Sequence, residues 1–424
     1  MSSTPAQPAQ TPRYKPGIKY ILMLGALAAL PAITTDMYLP SLPAVAEDLR
    51  ASQAAVQFTL SGMLLGGGVG QLVIGPLSDR FGRRKPLIVG ILLHVVISVL
   101  CSIAGDIGTL IALRVLQGFF NAAASVVAIA VIRDRFVGSD AARLLSRLML
   151  VIGVAPLFAP TVGQAIAGLW EWRAVFYALA LIGLVLVAIV WRWMPETLPE
   201  ERRRPGHVRH IAGGYWHLFR NVRFMSLAVI PGLGLGVIMS YVVGSPFVFQ
   251  DEYGLSQTQF ALVFALNGVA LVASAQLNAA LVRKVSSARL LRAAAVVQLV
   301  FALVLVAVAA SGFGGVLGLM VALWLVLGTQ GMIPANASVL ALNTYGHMAG
   351  TAAAVIGALQ SGVAGVVSPL VGVLGGNSVS MAVVMLGACT LTVVVLLLGT
   401  PVFRRGGWMR LDTYEQVEAV RPPK

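Results

Sequence analysis

Charged residues are scarce in this chain, and their scarcity decides the class of protein before any motif does. Only 11% of the 424 residues are charged and 58% are hydrophobic, whereas a soluble domain usually carries roughly 25% charged residues. A soluble fold of this length cannot hide so much apolar surface. The composition therefore excludes an ordinary soluble enzyme and predicts a protein whose solvent is lipid.

Cysteine and recognisable ligand patterns are also nearly absent. The two cysteines, Cys101 and Cys389, both lie in apolar runs, which excludes a disulfide framework and disfavours a metal cluster. The sequence has no His/Cys metal spacing and no G-x-x-x-x-G-K-[ST] phosphate loop. We therefore expect no catalytic residues, no metal site and no cofactor. A receptor or scaffold would need a long folded loop or tail, which we do not expect either.

Apolar runs of membrane-span length fill most of the sequence. A membrane-spanning helix needs roughly 20 apolar residues, so twelve spans use about 240 residues and leave the rest for loops and tails. The first run has no clear cleavage site and is predicted to be a retained span rather than a signal peptide. The fold class is therefore an all-α membrane protein with twelve transmembrane helices. The predicted spans are about 18–40, 54–75, 86–104, 109–131, 145–168, 173–193, 224–247, 258–282, 289–311, 315–340, 349–374 and 379–402.

Positive charge is confined to one side of this predicted membrane. The formal net charge of +14 would by itself suggest a nucleic-acid partner. However, 27 of the 30 Lys and Arg residues fall on one side, and only Arg50 and Arg173 fall on the other. Loops rich in Lys and Arg face the cytoplasm. We therefore expect both termini in the cytoplasm and no nucleic-acid partner.

A polar linker separates two halves that resemble each other. At an offset of 204 residues, Ser52-Gln53 matches Ser256-Gln257 and Arg80 matches Lys284. Repeats of six spans each place the substrate site where the halves meet, near the middle of the membrane. The predicted organisation is a disordered cytoplasmic tail 1–17, a first six-helix bundle 18–193, a linker 194–223, a second six-helix bundle 224–402 and a cytoplasmic tail 403–424.

The loop after the second span is the most specific motif in the chain. Residues 75–85 read G-P-L-S-D-R-F-G-R-R-K, with glycines that permit a tight turn and an aspartate among four cations. This run resembles the G-x-L-a-D-R-x-G-R-R loop of the major facilitator superfamily, although a generic basic loop is the alternative. The resemblance implies the major facilitator fold and transport by alternating access. It also implies a gating network of Gly75, Asp79, Arg80, Gly82, Arg83 and Asp134.

The fifth span carries small and kink-prone residues on one helix face. Gly153, Pro156, Pro160 and Gly163 recur at steps of three and four residues. Such a face suits close contact with a helix that must rock past it. The pattern resembles the antiporter motif of the same superfamily, with departures at two glycine positions, and implies an exporter. Ordinary close packing is the alternative.

The end of the first span resembles one particular group within this superfamily. Residues 35–43 read T-D-M-Y-L-P-S-L-P, which resembles the D-M-Y-L-P-x-L-P signature of the Bcr/CflA group of drug:proton antiporters. The resemblance implies proton-driven efflux of small drugs such as bicyclomycin, phenicols and sulfonamides.

Two ionisable residues stand inside predicted spans. Asp36 is the only carboxylate and Arg114 the only base so placed, and an ionised group in a span is costly enough to indicate function. Both lie roughly 6–7 Å from the outer ends of their spans, so they can occupy one layer. We expect them to couple proton movement to transport. A static ion pair that fixes helix packing, or an Asp36 that already faces water outside, is the alternative.

Other polar and aromatic residues form a set of candidates for a substrate cavity. A narrow polar stripe follows Arg114 at helical spacing, and aromatic residues could form apolar walls. Hydrogen bonding and packing between helices are the alternative roles. The candidates are Tyr38, Gln117, Phe119, Asn121, Ser125, Tyr241, Trp324, Asn336 and Gln360.

These observations predict a proton-coupled antiporter that exports small amphipathic drugs as a monomer. Its expected partners are the drug, protons and the lipid bilayer. The alternative is a proton-linked uptake symporter, or a facilitator, for a small metabolite. The single acid and the mostly apolar and aromatic lining favour export, because a sugar site needs a dense array of polar groups.

Overall fold

The computed structural model describes residues 18–136, 144, 158–203, 208–343, 345 and 348–399. Within these residues the regular secondary structure is helical and contains no strand. Eleven helical segments are long and apolar enough to cross a membrane. This confirms the all-α fold class. Of the twelve predicted spans, the fifth, 145–168, lies largely outside the described residues.

The first half and the linker contribute eight helices. The first half contains α1 (Ile18–Asp36), α2 (Leu42–Asp48), α3 (Gln53–Phe81), α4 (Arg84–Ser102), α5 (Ile107–Arg135), α6 (158–170) and α7 (Arg173–Trp193). Short 3₁₀ helices follow α1 at Leu39–Ser41 and α7 at Glu200–Arg202. The linker contains α8 (Val208–Arg220).

The second half follows with eight more helices and one π-helical segment. Its elements are α9 (Val222–Pro246), the π segment (Phe247–Glu252), α10 (Gln257–Leu281), α11 (Ser287–Ser311), α12 (Gly315–Gln330), α13 (Ile333–Asn343), α14 (Ala349–Val367), α15 (Leu370–Val373) and α16 (Ser378–Gly399).

Several predicted spans differ from the structure in their detail. The first span breaks after Asp36 into a 3₁₀ turn and α2, because prolines begin both of these elements. The predicted span 315–340 is two helices, α12 and α13. At the break, the Gly331 N–H donates to Ser274 Oγ at 2.9 Å, and a Cβ at Gly331 would lie 2.5 Å from the Ala275 backbone nitrogen. The break therefore reflects a close contact with α10.

The predicted repeat is visible at the start of one helix in each half. Ser52 Oγ accepts from the Ala55 N–H at 3.2 Å and begins α3. Ser256, 204 positions later, forms a reciprocal capping box with Gln259 and begins α10. Both serines satisfy backbone donors that the first turn of a helix leaves unpaired. The matched pairs at this offset thus mark equivalent helix starts.

The turn between α3 and α4, the end of α5 and the linker lie at one end of the bundle, which we call the basic end. At the opposite end, one apolar core extends across both halves, from Met37 and Phe176 to Tyr241 and Phe249. At the basic end each half has a core of its own. The two halves therefore share buried apolar contacts at the end opposite the basic end, whereas at the basic end the buried core of each half is separate.

Helix α3 forms the main direct contact between the halves, with α14 and the short helix α15 that follows it. Gln57 Oε1 accepts from the Gly372 N–H at 2.8 Å, Ser61 Oγ lies 3.3 Å from Ser368 Oγ, and Gln71 Nε2 donates to Ser361 Oγ at 3.2 Å. Small residues allow this close approach. A Cβ at Gly68 would lie 2.9 Å from the Ala358 carbonyl oxygen. A polar seam of this kind can separate at lower cost than an interlocked apolar one, because water can replace its hydrogen bonds.

Candidate functional site

Arg114 is fully buried on α5 and is held by aromatic rings rather than by a carboxylate. Its guanidinium carbon lies 4.9 Å from the Tyr38 ring centre and 5.7 Å from the Phe176 ring centre. Nη1 donates to Gln117 Oε1 at 2.6 Å, one turn along the same helix. Nε and Nη2 have no hydrogen-bond acceptor within the described residues. Cation–π attraction therefore compensates only part of the cost of burying this charge.

A chain of hydrogen bonds leads from Arg114 into α4. Gln117 Nε2 donates to Ser98 Oγ at 2.7 Å, and Ser98 Oγ donates to the His94 carbonyl at 2.7 Å. Gln117 therefore bonds both to Arg114 on its own helix and to Ser98 on α4. His94 was not among the predicted site residues because a lone histidine in an apolar run gives no signal. It is fully buried near Arg114, and neither ring nitrogen has a hydrogen-bond partner in the described part of the chain.

Asp36 ends α1 and is only 5% exposed. The described residues include no hydrogen-bond or ion-pair partner for its carboxylate, and no ion pair joins it to Arg114. The alternative of a static ion pair between them is therefore absent from this structure. The aromatic ring of Tyr38, two residues further on, occupies the face of Arg114 instead. Two buried ionisable groups thus stand on neighbouring helices without pairing.

The other predicted residues on α5 contact neighbouring helices or their own. Asn121 Nδ2 donates to Thr34 Oγ1 of α1 at 3.2 Å and so ties α5 to the turn that precedes Asp36. Ser125 bonds to the carbonyl of Ala122 on its own helix at 3.3 Å. Phe119 is half-buried and meets Phe120 edge to face at 5.1 Å. Only Gln117 and Asn121 therefore reach the surroundings of Arg114 and Asp36.

In the second half, two of the four predicted residues lie in buried polar pairs. Tyr241 Oη accepts from Asn267 Nδ2 at 3.0 Å. Asn336 Nδ2 donates to Asn278 Oδ1 at 2.7 Å. Gln360 is half-buried on α14.

Trp324 lies elsewhere in the second half. It is 42% exposed and shares a face of α12 with the exposed residues Leu317 and Val321. The structure does not bring Trp324 to the other candidates, and this exposed apolar face fits contact with lipid.

A second polar cluster lies at the basic end and centres on Arg83. Its Nε donates to Asp134 Oδ2 at 2.7 Å, and its Nη1 donates to Ser78 Oγ at 2.9 Å and to Asp79. Burial lowers the pKa of the Arg83 guanidinium, but the paired carboxylates of Asp134 and Asp79 outweigh it and hold that pKa above its usual value. Arg83 therefore links the ends of α3 and α5 through charge-assisted hydrogen bonds.

Glu196, just after α7, completes this cluster and was not among the predicted site residues. Its carboxylate accepts from the backbone N–H groups of Arg83, Arg84, Thr197 and Leu198 at 2.8–3.1 Å. Burial would raise the pKa of Glu196, but these bonds outweigh burial and place the pKa below its ordinary value. Its position in a Pro-Glu-Thr run directly after a span was the signal available in the sequence.

The two glycines of the motif differ in their roles. Gly82 has φ 87°, which strains any other residue, and a Cβ there would lie 2.5 Å from the Glu196 carboxylate. Gly75 lies within α3, where a Cβ would have no atom within 4 Å. The expected turn at Gly75 is therefore wrong, and α3 continues to Phe81. Arg80 is exposed, 5.2 Å from the Phe81 ring, and stands apart from the Arg83 cluster.

The antiporter-like face can be followed only in part. Gly153 and Pro156 lie outside the described residues. Pro160 is buried on α6. At Gly163 a Cβ would clash with the Met37 carbonyl, so α6 packs directly against the residue that follows Asp36. In the described part of the chain, no cluster of His, Cys, Asp and Glu could hold a metal ion.

Comparison with known proteins agrees with this architecture. Residues 24–369 match the Major Facilitator Superfamily. A bicyclomycin resistance protein homolog of Haemophilus influenzae is 32% identical over 89% of this chain and 94% of its own length. A chloramphenicol resistance protein of Pseudomonas aeruginosa is 29% identical over 79% of each chain. The crystal structure of a D-xylose-proton symporter superposes with a TM-score of 0.70 at 18% identity, covering 88% of this chain and 96% of that one, which shows the shared fold.

The family match covers the span 1 signature, the loop between α3 and α4 and most of both halves. The bicyclomycin and chloramphenicol resistance relatives agree with the resemblance to drug:proton antiporters that residues 35–43 carry. The family is one of transporters rather than enzymes, and the chain is a multi-pass membrane protein. On this evidence the chain belongs to the major facilitator superfamily.

Proposed function

We propose that this protein is a proton-coupled antiporter that exports small amphipathic drugs, such as phenicols, bicyclomycin-like compounds or sulfonamides. The observation that carries the proposal is the buried and unpaired state of Asp36, on a helix next to the equally buried cation Arg114. The names of the bicyclomycin and chloramphenicol resistance relatives support drug efflux. The protein acts as a monomer in a bacterial inner membrane, with the basic end and both termini in the cytoplasm.

Asp36 is the proton carrier in this proposal. A carboxylate buried among helices can be neutralised by binding a proton or by meeting a cation, and the two are mutually exclusive. A movement of Arg114 towards α1, or a cationic group where the drug carries one, favours the ionised carboxylate and releases the proton. Loss of that cation favours proton uptake. Alternation between these two states couples proton movement to the transport cycle.

Arg114 is the partner that senses this change. Gln117 and the rings of Tyr38 and Phe176 hold it in place, while its Nε and Nη2 have no acceptor in the described residues. These two donors are the groups that would meet Asp36 or an acceptor on the drug in another state. A buried donor without an acceptor is unfavourable, which biases the site towards capture of one.

The Arg83 cluster gates the cytoplasmic end in this proposal. Arg83 joins α3, α5 and, through Glu196, the end of α7, so these helices move as one body. The core shared by both halves at the opposite end, and the separate cores at the basic end, support a state that is closed to the outside. Transport requires the seam between α3 and α14 to hinge between this state and its opposite.

Transport by purified protein in liposomes tests the function directly. The pH gradient should be acidic on the side of the membrane that faces away from the basic end. It should drive a phenicol to accumulate on that acidic side, and a proton uncoupler should abolish the accumulation. A drug-susceptibility panel in a host without its own pumps identifies which drugs to use. Drug movement unaffected by the uncoupler would contradict antiport. Proton-driven movement of a metabolite in the same direction as the proton would favour the alternative, an uptake symporter.

The orientation has its own test. A single cysteine placed after Lys424 should be protected from a membrane-impermeant thiol reagent in intact cells, whereas one placed between Asp251 and Glu252 should react. Both measurements are made in a protein without Cys101 and Cys389, which are buried. Labelling at the C terminus in intact cells would contradict the proposed topology.

A further inference from the structure

Helix α8 ends in a surface cavity that takes no part in the proposed transport cycle. The cavity has a volume of about 420 Å³ and is lined by Gly213, Trp216, His217, Arg220 and Asn221. The Arg220 guanidinium lies 6.0 Å from the Trp216 ring centre. Asn221 caps α9 through Oδ1, which accepts from the Phe224 N–H at 2.9 Å. Its amide nitrogen, the guanidinium and the imidazole are all hydrogen-bond donors, and donors of this kind bind anions.

Apolar side chains surround this cavity and remain exposed. Trp216 is 65%, Phe219 44% and Val222 74% exposed, at steps of three residues along the end of α8 and the start of α9. Leu218, on the other face of α8, is fully buried. A tryptophan and a phenylalanine side by side are unfavourable in water, but they are typical of helices that lie in a membrane surface.

The position of the cavity in the chain sets its depth in the membrane. Asn221 is the single residue between α8 and the membrane-spanning segment Val222–Glu252. The cavity therefore lies where the hydrocarbon region ends, at the level of lipid headgroups.

The charge of this region selects an anionic lipid. Residues 202–250 include Arg202, Arg203, Arg204, Arg209, Arg220 and Arg223 but no Asp or Glu. An ethanolamine or choline headgroup also carries a cation, for which this stretch supplies no carboxylate and only the ring of Trp216. A headgroup with a net negative charge needs only donors and cations, which the cavity has.

We propose that the cavity at the end of α8 binds the phosphate headgroup of an anionic phospholipid, with Trp216 and Phe219 against its acyl chains. Arg220 is the main phosphate ligand, and His217 and Asn221 supply further donors. This site rests on the membrane placement of the proposed function but not on proton coupling. It can therefore be tested by binding alone.

Quenching of Trp216 fluorescence by brominated lipids measures occupancy. The full chain and Trp216→Phe are placed in vesicles that contain a small fraction of brominated phosphatidylglycerol or of brominated phosphatidylcholine. The difference between the two proteins isolates Trp216 from the other tryptophans. We expect brominated phosphatidylglycerol to quench that difference signal more strongly than brominated phosphatidylcholine. Arg220→Gln should reduce this preference for phosphatidylglycerol about fivefold.

Arg192→Gln is the matched control, because Arg192 is also exposed, lies in the last turn of α7, and is not part of the cavity. It should leave the preference unchanged. Equal quenching by both lipids, or an equal loss in Arg192→Gln and Arg220→Gln, would overturn the proposal. Reversal by millimolar inorganic phosphate would also overturn it, since that result indicates a site for soluble anions. None of these outcomes depends on whether the protein transports drugs.

Discussion

Each half of the bundle has an almost fully buried tyrosine in its first long span, away from the basic end: Tyr38 in one half and Tyr241 in the other. Of these two, only Tyr38 has a charged group against its ring. Tyr38 Oη accepts from Thr59 of α3 at 3.3 Å, and Tyr241 Oη accepts from Asn267 of α10 at 3.0 Å. Both contacts join a tyrosine of the first span to the helix that begins at a repeat-related serine, α3 or α10, although the offset of 204 places Val242, not Tyr241, opposite Tyr38. Arg114 covers the ring of Tyr38, whereas Phe264 stacks on the ring of Tyr241 at 5.5 Å.

The proposed function divides the tasks between the halves in line with this difference. In the second half several buried polar side chains form neutral pairs, such as Gln298 with Gln330 and Asn336 with Asn278, although the neutral Asn267 Oδ1 has no partner in the described residues. The first half instead keeps the donors of Arg114 and the ring of His94 without partners in the described residues. Satisfied neutral pairs stabilise a scaffold, whereas unsatisfied ionisable groups provide a reason to change state.

Substitution of Asp36 should have the largest effect. Asp36→Asn keeps the size of the side chain but cannot bind and release a proton. We therefore expect loss of proton-driven export with drug binding retained. Asp36→Glu should keep partial activity. The measurement is drug-induced proton release from purified protein. Glu47→Gln, an exposed carboxylate on α2, is the control and should behave as wild type. Proton release and a drug gradient in Asp36→Asn would place the coupling site elsewhere.

Substitution of Arg114 should have the second-largest effect. A substitution beside Tyr241 in the other half sharpens the comparison. Arg114→Ala removes a buried cation–π contact of about 2 kcal/mol and leaves Gln117 without its partner, so both thermal stability and transport should fall. Arg114→Lys should be milder. Phe264→Leu, the change at the ring that stacks on Tyr241, should lower stability and spare proton coupling. Equal loss of coupling in both variants would remove the proposed division between the halves.

The Arg83 cluster should control rate rather than coupling. Asp79→Asn breaks one of the two ion pairs of Arg83 and should leave the protein folded and inserted while slowing transport. The kcat should fall with little change in KM, because the cavity is untouched. Arg80→Gln, in the same loop but apart from the Arg83 cluster, should have a smaller effect. Transport by Asp79→Asn at the wild-type rate would count against gating.

Glu196 should give the smallest effect, visible mainly through pH. Because its pKa lies below the ordinary value, its ionised form stabilises the fold above that ordinary value, and this contribution is lost as pH falls through the lowered pKa. The Tm of wild type should therefore exceed that of Glu196→Gln at neutral pH. The gap should begin to narrow near the ordinary value of 4.5 and close as the pH falls through the lowered pKa. A gap that persists in acid would show that the charge of Glu196 is not the cause.

Most of the fold could be predicted from the sequence because the bilayer imposes a length and a polarity on every span. The apolar runs located the membrane helices, and Ser52 and Ser256 marked equivalent helix starts. The break of 315–340 at Gly331 could not be predicted, since its cause is a close contact with Ala275 on another helix. Helix α8 was missed because its arginines and histidines conceal an amphipathic pattern within a polar linker.

Asp36 and Arg114 were singled out by sequence alone, since ionisable groups are rare and costly inside spans. Only the tertiary structure decided that they stand unpaired. Likewise, it alone placed Gln117 between Arg114 and Ser98, set His94 beside them, and left Trp324 on an exposed face. The physical reason is the same in each case. Composition and spacing follow from the solvent that surrounds a helix, whereas hydrogen-bond partners depend on which helices pack together and in what rotation.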